Sequence, residues 1–377
     1  MTASLDIAFF GSSIVSAYWN GAATYYRGIV RALAARGHRV TFYEPDAYDR
    51  QKHRDIDDPP WCRVVVYRGD DERDALRQLT IAAQHADVIV KASGVGVYDA
   101  LLEAGVPEVR RPGQLAIFWD VDAAATLDRI EGDTRDPFRS ALPRYDAVFT
   151  YGGGDPVVRR YLALGARACL PIYNALDPDT HFPGTPDARF RGDLGLLANR
   201  LPDRERRIEE FFLRPASTSP ERRFVLGGNG WGDKHVTPNV IKVGHVYTAD
   251  HNAFNASCLA VLNVARDSMA NVGFSPATRV FEAAGAAACL ITDAWEGIEL
   301  FLEPEREVLV AKDGDEVAEH VRRLDEARAR AIGEAARRRV IAHHTYAQRA
   351  EQVERALVQG LATERGIAAP VSLGAAT

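Results

Sequence analysis

The 377-residue chain is too long for one ordinary core and long enough for two domains. Its apolar content of 46% and charged content of 26% are those of a soluble globular protein. The formal charge of −6 argues against a nucleic-acid binder, and no apolar run approaches the roughly 20 residues of a membrane-spanning helix.

Strand and helix patterns alternate from end to end, which predicts an α/β fold with parallel sheets. The first strand, at 5–10, follows the N-terminus directly; it is too short, and lacks the basic leader, for a targeting signal. It breaks at Gly11-Ser12-Ser13, and a helix runs from about Gly21 to Arg36. Further strands are expected at 40–43, 64–67, 87–90, 115–119 and 147–150. Such near-continuous apolar runs suggest sheets covered on both faces. Trp119-Asp120-Val121-Asp122 ends the fifth strand and sets two acids at its carboxyl end. Asp120 or Asp122 can serve as a general base for an acceptor hydroxyl, an Asp-x-Asp pair can bind a divalent cation, and Asp122 can simply cap the helix that follows.

The rhythm pauses at 171–179, a proline- and aspartate-rich piece that reads as an interdomain linker. A second set of strands is expected at 194–197, 224–227, 241–243, 259–262, 289–291 and 308–310. Two similar halves joined by a hinge predict a ligand cleft, because parallel sheets bind ligands at the carboxyl ends of their strands. The expected division is 1–172 and 173–343, with a terminal helix at 344–360 rejoining the first half. Gly11, Ser12 and Gly21 are expected at the cleft from the first half.

Four loops of the second half carry candidate binding groups. Arg200 and Arg204 follow a strand and suit bidentate contact with phosphate oxygens, or else form a charged surface turn. Gly227-Gly228-Asn229-Gly230-Trp231-Gly232 lets the backbone approach a ligand closely, at Gly230 among others, and Trp231 can stack on a base or line the cleft; the alternative is a plain tight turn. The polar run from Asn263 through Arg266 and Asp267, with the amides near Gly273, can read sugar hydroxyls or form a plain polar loop. The fourth is Ser275-Pro276-Ala277-Thr278-Arg279-Val280-Phe281-Glu282-Ala283-Ala284-Gly285. It reads as a helix capped by Ser275 with Pro276 at its first position, so that the amides of Ala277 and Thr278 favour an anion. Glu282, one to two turns in, lies within reach of a polyol attached to that anion, which together is what a nucleoside diphosphate with its ribose needs.

From 315 to 359 the chain looks helical, with arginines and acids interleaved as on a solvated face. The ten histidines show no metal spacing; His181, His245 and His251 read as structural, and His343-His344 as exposed. Cys62, Cys169, Cys258 and Cys289 lie scattered in or beside apolar runs and read as buried, reduced thiols of a cytoplasmic protein. The tail at 368–377 is expected to fray.

The stretch 263–302, above all Arg266-Asp267-Ser268 and the Ser275–Gly285 run just quoted, resembles the CgeB-like (spore-maturation type) glycosyltransferases of the two-Rossmann GT-B architecture. Asp293-Ala294-Trp295-Glu296-Gly297, Asn174-Ala175-Leu176-Asp177-Pro178-Asp179 and Asn199-Arg200-Leu201-Pro202-Asp203-Arg204 extend the resemblance, which is weaker in the first half. It implies transfer of a hexose-like sugar from a nucleoside-diphosphate donor, with a UDP-sugar expected, to an acceptor bound by the first domain. Glu282 then matches the ribose-binding glutamate, and the Arg200–Arg204 loop matches the diphosphate-binding positions. Ser275, Thr278 and Arg279 would complete the donor site. The resemblance further implies that neither metal nor other cofactor is needed. Many retaining relatives carry a second glutamate eight residues earlier; Phe274 stands there, so the resemblance leaves the stereochemistry open. A nucleotide-sugar epimerase, a two-domain small-ligand binding protein and a metal-dependent Asp-x-Asp transferase are the competing readings.

Overall fold

The computed structural model describes residues 4–367 apart from Trp19; the tail at 368–377 lies outside the described residues. The chain divides into two compact units, Met1–Tyr173 with Tyr346–Thr377, and Asn174–Thr345.

The first unit carries β1 (Asp6–Phe10), β2 (Arg39–Asp46), β3 (Arg63–Arg68), β4 (Val88–Ala92), β5 (Leu115–Asp120), β6 (Ala147–Thr150) and β7 (Cys169–Pro171). They form one seven-stranded parallel sheet in the order β3-β2-β1-β4-β5-β6-β7. Every residue of β4 and β5 is buried, as their unbroken apolar runs require. The exception within β4 is Lys91, fully buried and paired with Asp99 at 2.6 Å. β7 is the strand that sequence patterning missed: three residues ending in proline, tolerated because they form the sheet edge.

The helix Ala23–Ala35 packs against the last helix, Tyr346–Glu364. Gly28 makes that approach possible, since a Cβ there would stand 2.3 Å from the Tyr346 ring. Arg36 and His38 both reach Glu354 of the same helix.

The second unit carries β8 (Gly192–Leu197), β9 (Phe224–Gly227), β10 (Val240–Gly244), β11 (Cys258–Asn263), β12 (Leu290–Asp293) and β13 (Leu309–Ala311). Its parallel sheet has the order β10-β9-β8-β11-β12-β13. Relabelled from its own first strand this is 3-2-1-4-5-6, the Rossmann order, and its direction reverses between β8 and β11. Leu194, Leu196, Phe224, Leu226, Leu262 and Ile291 anchor the core under this sheet. A π-helical turn at Glu209–Leu213 separates the helices Pro202–Ile208 and Arg214–Thr218 and sends Phe211 and Phe212 into that core.

The charged segment expected at 315–359 is three helices, Gly314–Arg323, Glu326–His343 and Tyr346–Glu364. Its arginines meet acids, as Arg322 does Glu319 at 2.8 Å and Arg328 Glu305 at 3.0 Å. His343 is exposed as expected, but His344 is buried beside the rings of Phe281 and Phe301. None of the described helices is long and apolar enough to cross a membrane, and all four cysteines are free thiols.

Candidate functional site

A cavity of about 130 Å³ opens at the carboxyl ends of β8 and β11, where the strand order reverses. Crevices at such switch points are the ligand sites of doubly wound sheets. Leu197 and Ala198 line it from β8, Asn263 and Val264 from β11, Arg204 from the following helix, and Thr278, Arg279 and Glu282 from the helix Thr278–Gly285.

That helix begins later than its sequence predicts. Its N-cap is Ala277, with no side-chain cap, and the Ser275 hydroxyl donates to the Gly273 carbonyl at 2.8 Å instead. The cause is the buried Asn174, whose Nδ2 donates to the Pro276 carbonyl at 3.1 Å and holds 275–277 out of the helix. The outward amides are therefore those of Thr278 and Arg279, and no acid lies in the first turn to satisfy them. Just before, Gly273 has φ +72° and Phe274 φ +46°, a left-handed conformation that costs a bulky residue strain. Phe274 is held there by its backbone amide, which donates a hydrogen bond to the Glu296 carbonyl at 2.6 Å.

Glu282 is 8% exposed and lines the cavity. Its nearest cationic neighbour is Arg279, with Nη2 3.6 Å from Oε2; His181 Nε2 stands 3.9 Å from Oε1. Both separations exceed a hydrogen bond, so the carboxylate keeps acceptor capacity for a ligand. Burial pushes its pKa up, but Arg279, His181 and His251 together hold it below the ordinary value, and it is ionised. Burial pushes His251 down to about 4 and lowers His181 as well, so both imidazoles are neutral. Gly285 lets this helix sit close: a Cβ there would be 2.3 Å from Leu176 Cδ1 and 2.9 Å from the His181 carbonyl.

The structure separates the two arginines of the 199–204 loop. Arg204 lines the cavity and donates to the Asn199 carbonyl at 3.1 Å. Arg200 instead bridges Glu205 at 2.8 Å and Asp233 at 3.0 Å, which engages its guanidinium with carboxylates. The glycine-rich loop hugs the end of β8. Gly228 has φ +126°, and a Cβ there would stand 2.1 Å from the Ala198 carbonyl. Gly230 has φ +86° and packs on Arg200. Trp231 is a correction to the base-stacking expectation: it is 3% exposed within the core, and its Nε1 donates to Ala198 O at 2.7 Å. The exposed groups nearby are Asn229, His245 and Tyr247, the last two edge to face with centroids 4.5 Å apart.

Arg266 occupies the N-cap of the helix Asp267–Val272, and Asp267 faces Arg207 at 3.5 Å. Sequence patterning missed Arg207. It lies one turn beyond Arg204, and its Nη2 donates to the fully buried Asp293 at 2.5 Å while its Nε donates to the Ala265 carbonyl at 3.1 Å. His181 and His251 carry no local sign of a site in the sequence; only the fold brings them to Glu282.

In the first unit, Asp120 is a correction. It is fully buried and accepts from Ser93 Oγ at 2.7 Å, the Asp122 amide at 2.9 Å, Thr126 Oγ1 at 3.1 Å and the Tyr161 hydroxyl. A carboxylate so engaged braces the end of β5 and is in no position to take a substrate proton or hold a cation. Asp122 stands at the N-cap of the helix Ala123–Gly132, half-buried, and its side chain makes no capping bond. Gly11 is buried, where a Cβ would be 2.4 Å from Phe42, and Ser12 donates to Asn20 Oδ1 at 3.0 Å. Gly21 is exposed, with open space where a Cβ would go.

A family model described as "Glycosyl transferase-like" matches residues 204–355. None of the curated proteins matches. Among solved structures, the chain is similar to sucrose-phosphate synthase from Thermosynechococcus elongatus, with a TM-score of 0.69 at 15% identity over 95% of this chain and 100% of that one. It is similar to Anabaena HepE in complex with UDP and glucose, with a TM-score of 0.67 at 13% identity over 94% of this chain and 99% of that one. AviGT4, a glycosyltransferase of avilamycin A biosynthesis, gives a TM-score of 0.62 at 16% identity over 95% and 98% of the two chains. With two Rossmann-ordered parallel sheets and likenesses that span nearly whole chains, the protein has the GT-B fold of glycosyltransferases.

Proposed function

We propose that this chain is a glycosyltransferase of the CgeB-like type, transferring a hexose from a UDP-sugar to an acceptor. The observation that carries the reading is Glu282: an ionised, buried carboxylate whose charged neighbours among the described residues, Arg279 and His181, stand beyond hydrogen-bonding distance, one turn behind uncapped helix amides in the switch-point cavity. Its oxygens take the ribose hydroxyls, while the Thr278 and Arg279 amides and the Arg204 guanidinium take the diphosphate. The base lies toward Asn229, His245 and Tyr247 at the ends of β9 and β10, in place of Trp231. Charge developing on the departing diphosphate meets fixed amide dipoles and arginine, so turnover is proposed to need neither metal nor other cofactor. The match of a glycosyltransferase-like family model to 204–355, and the UDP held by HepE on the same fold, support this reading.

In the first unit, Asp122 is proposed as the group that takes the acceptor proton, being the less buried member of its pair. Four unpaired thiols fit a reducing cytoplasm.

Thermal unfolding with UDP tests the proposal. UDP at 100 times its dissociation constant stabilises a folded protein by about 2.7 kcal/mol. Glu282→Ala should weaken UDP binding roughly 10- to 150-fold, the value of charged hydrogen bonds worth about 1.5–3 kcal/mol. An intact fold with unchanged UDP affinity would sink the assignment.

A further inference from the structure

Three metal-ligating side chains that are distant in sequence converge behind the start of the helix Thr278–Gly285. One ligand atom each from His181, His251 and Glu282 lies within 4.8 Å of the other two. His181 Nε2 faces Glu282 Oε1 at 3.9 Å, and the two imidazole centroids are 5.9 Å apart. His181 is 3% exposed, and neither its Nε2 nor His251 Nδ1 has a hydrogen-bond partner among the described residues. A buried polar atom left unsatisfied costs about 1–3 kcal/mol, so two of them beside a carboxylate mark a place where a ligand would be stabilising.

We propose that His181 Nε2, His251 Nδ1 and Glu282 Oε1 form a site for a first-row transition-metal dication, with zinc the best-matched ion. Two imidazoles and one carboxylate with a fourth position open is a zinc donor set, whereas calcium and magnesium prefer all-oxygen cages. Donors around a tetrahedral ion at about 2.1 Å stand roughly 3.4 Å apart, so the cluster closes by no more than about 1.4 Å, within reach of side-chain rotation. Both imidazoles are already neutral, so binding displaces no proton from them. Arg279 sits against Oε2 and leaves Oε1 as a one-oxygen ligand; its positive charge weakens the site without blocking it.

The site also has a regulatory consequence. If Glu282 holds the donor ribose, metal and donor compete for one carboxylate, and the metal inhibits a reaction that does not need it. This competition rests on the donor reading given above; the metal site itself does not.

Cobalt(II) is the probe, because its visible absorption reports imidazole and carboxylate ligation without any turnover. Chelator-stripped protein titrated with cobalt(II) should develop ligand-field absorption that saturates at one equivalent. His181→Ala, His251→Ala and Glu282→Gln should each abolish it, while His245→Ala and His343→Ala should keep it. No absorption in the wild-type protein, or absorption that survives the first three substitutions, overturns the site. Should Glu282→Gln or His181→Ala fail to fold, the half-buried His251→Ala decides the matter. UDP added to the cobalt form should bleach the absorption, and absorption unchanged at saturating UDP overturns the competition. A UDP-dependent melting shift in chelator without any cobalt absorption refutes the metal site and leaves the donor reading standing; cobalt absorption without that shift does the reverse.

Discussion

Arg207 closes on Asp293 at 2.5 Å and thereby joins the helix after β8 to the end of β12. Asp293 is fully buried and also receives the Ala265 amide at 3.0 Å, so the pair fixes the loop that carries Asn263 and Val264 to the cavity wall. Burial pushes the Asp293 carboxyl above the ordinary value, with Arg207 the strongest opposing influence. Removing the guanidinium strands a buried charge, and such losses cost about 3–5 kcal/mol. Arg207→Ala should lose that much in urea unfolding at pH 8. The deficit should shrink as pH falls, since without Arg207 the buried Asp293 carboxyl is pushed further up and folds protonated below that raised pKa. A deficit under 1 kcal/mol at pH 8 would show that the pair is not what holds the loop.

The parts of this fold that sequence disclosed are those set by local periodicity. β4 and β5 announce themselves because strands covered on both faces must be apolar throughout. β7 does not, because an edge strand of three residues pairs on one side only and can end in proline. Glu282 was legible as an acid early in a helix, but the helix start was not, since Asn174 sets it from another segment through the Pro276 carbonyl. Trp231 misled for a related reason. An aromatic in a glycine-rich loop resembles a stacking platform until its indole is found bonded to Ala198 inside the core. His181 and His251 carry no local signal at all, because their meaning lies in a meeting that only the tertiary fold arranges.

Asp74 gives the first unit a defined acid limb. The Arg68 amide at 2.9 Å and then Arg77 at 2.6 Å lower its pKa to about 2. A carboxyl whose folded pKa lies below its unfolded value adds stability above about pH 4, and that stability is lost as pH falls through 2. Urea unfolding between pH 4 and 2 should therefore fall less steeply in Asp74→Asn than in the wild-type protein. Identical slopes would show that these contacts do not favour the ionised form.

Asp120 and Asp122, two residues apart, should separate cleanly under substitution. Asp120→Asn places an amide donor among four groups that all donate to it, so folding stability should drop by about 2–3 kcal/mol. UDP affinity of the folded fraction should not change, because Asp120 belongs to the other unit. Asn suits an N-cap position as well as Asp does, so Asp122→Asn should cost less folding stability than Asp120→Asn. As the proton acceptor it should instead lower turnover by roughly 10²- to 10⁴-fold at unchanged UDP affinity. Urea unfolding and sugar transfer measured on both variants decide between them. A stable but inactive Asp120→Asn protein, beside an Asp122→Asn protein with full turnover, would return the chemistry to Asp120 and make its buried hydrogen bonds part of the reaction.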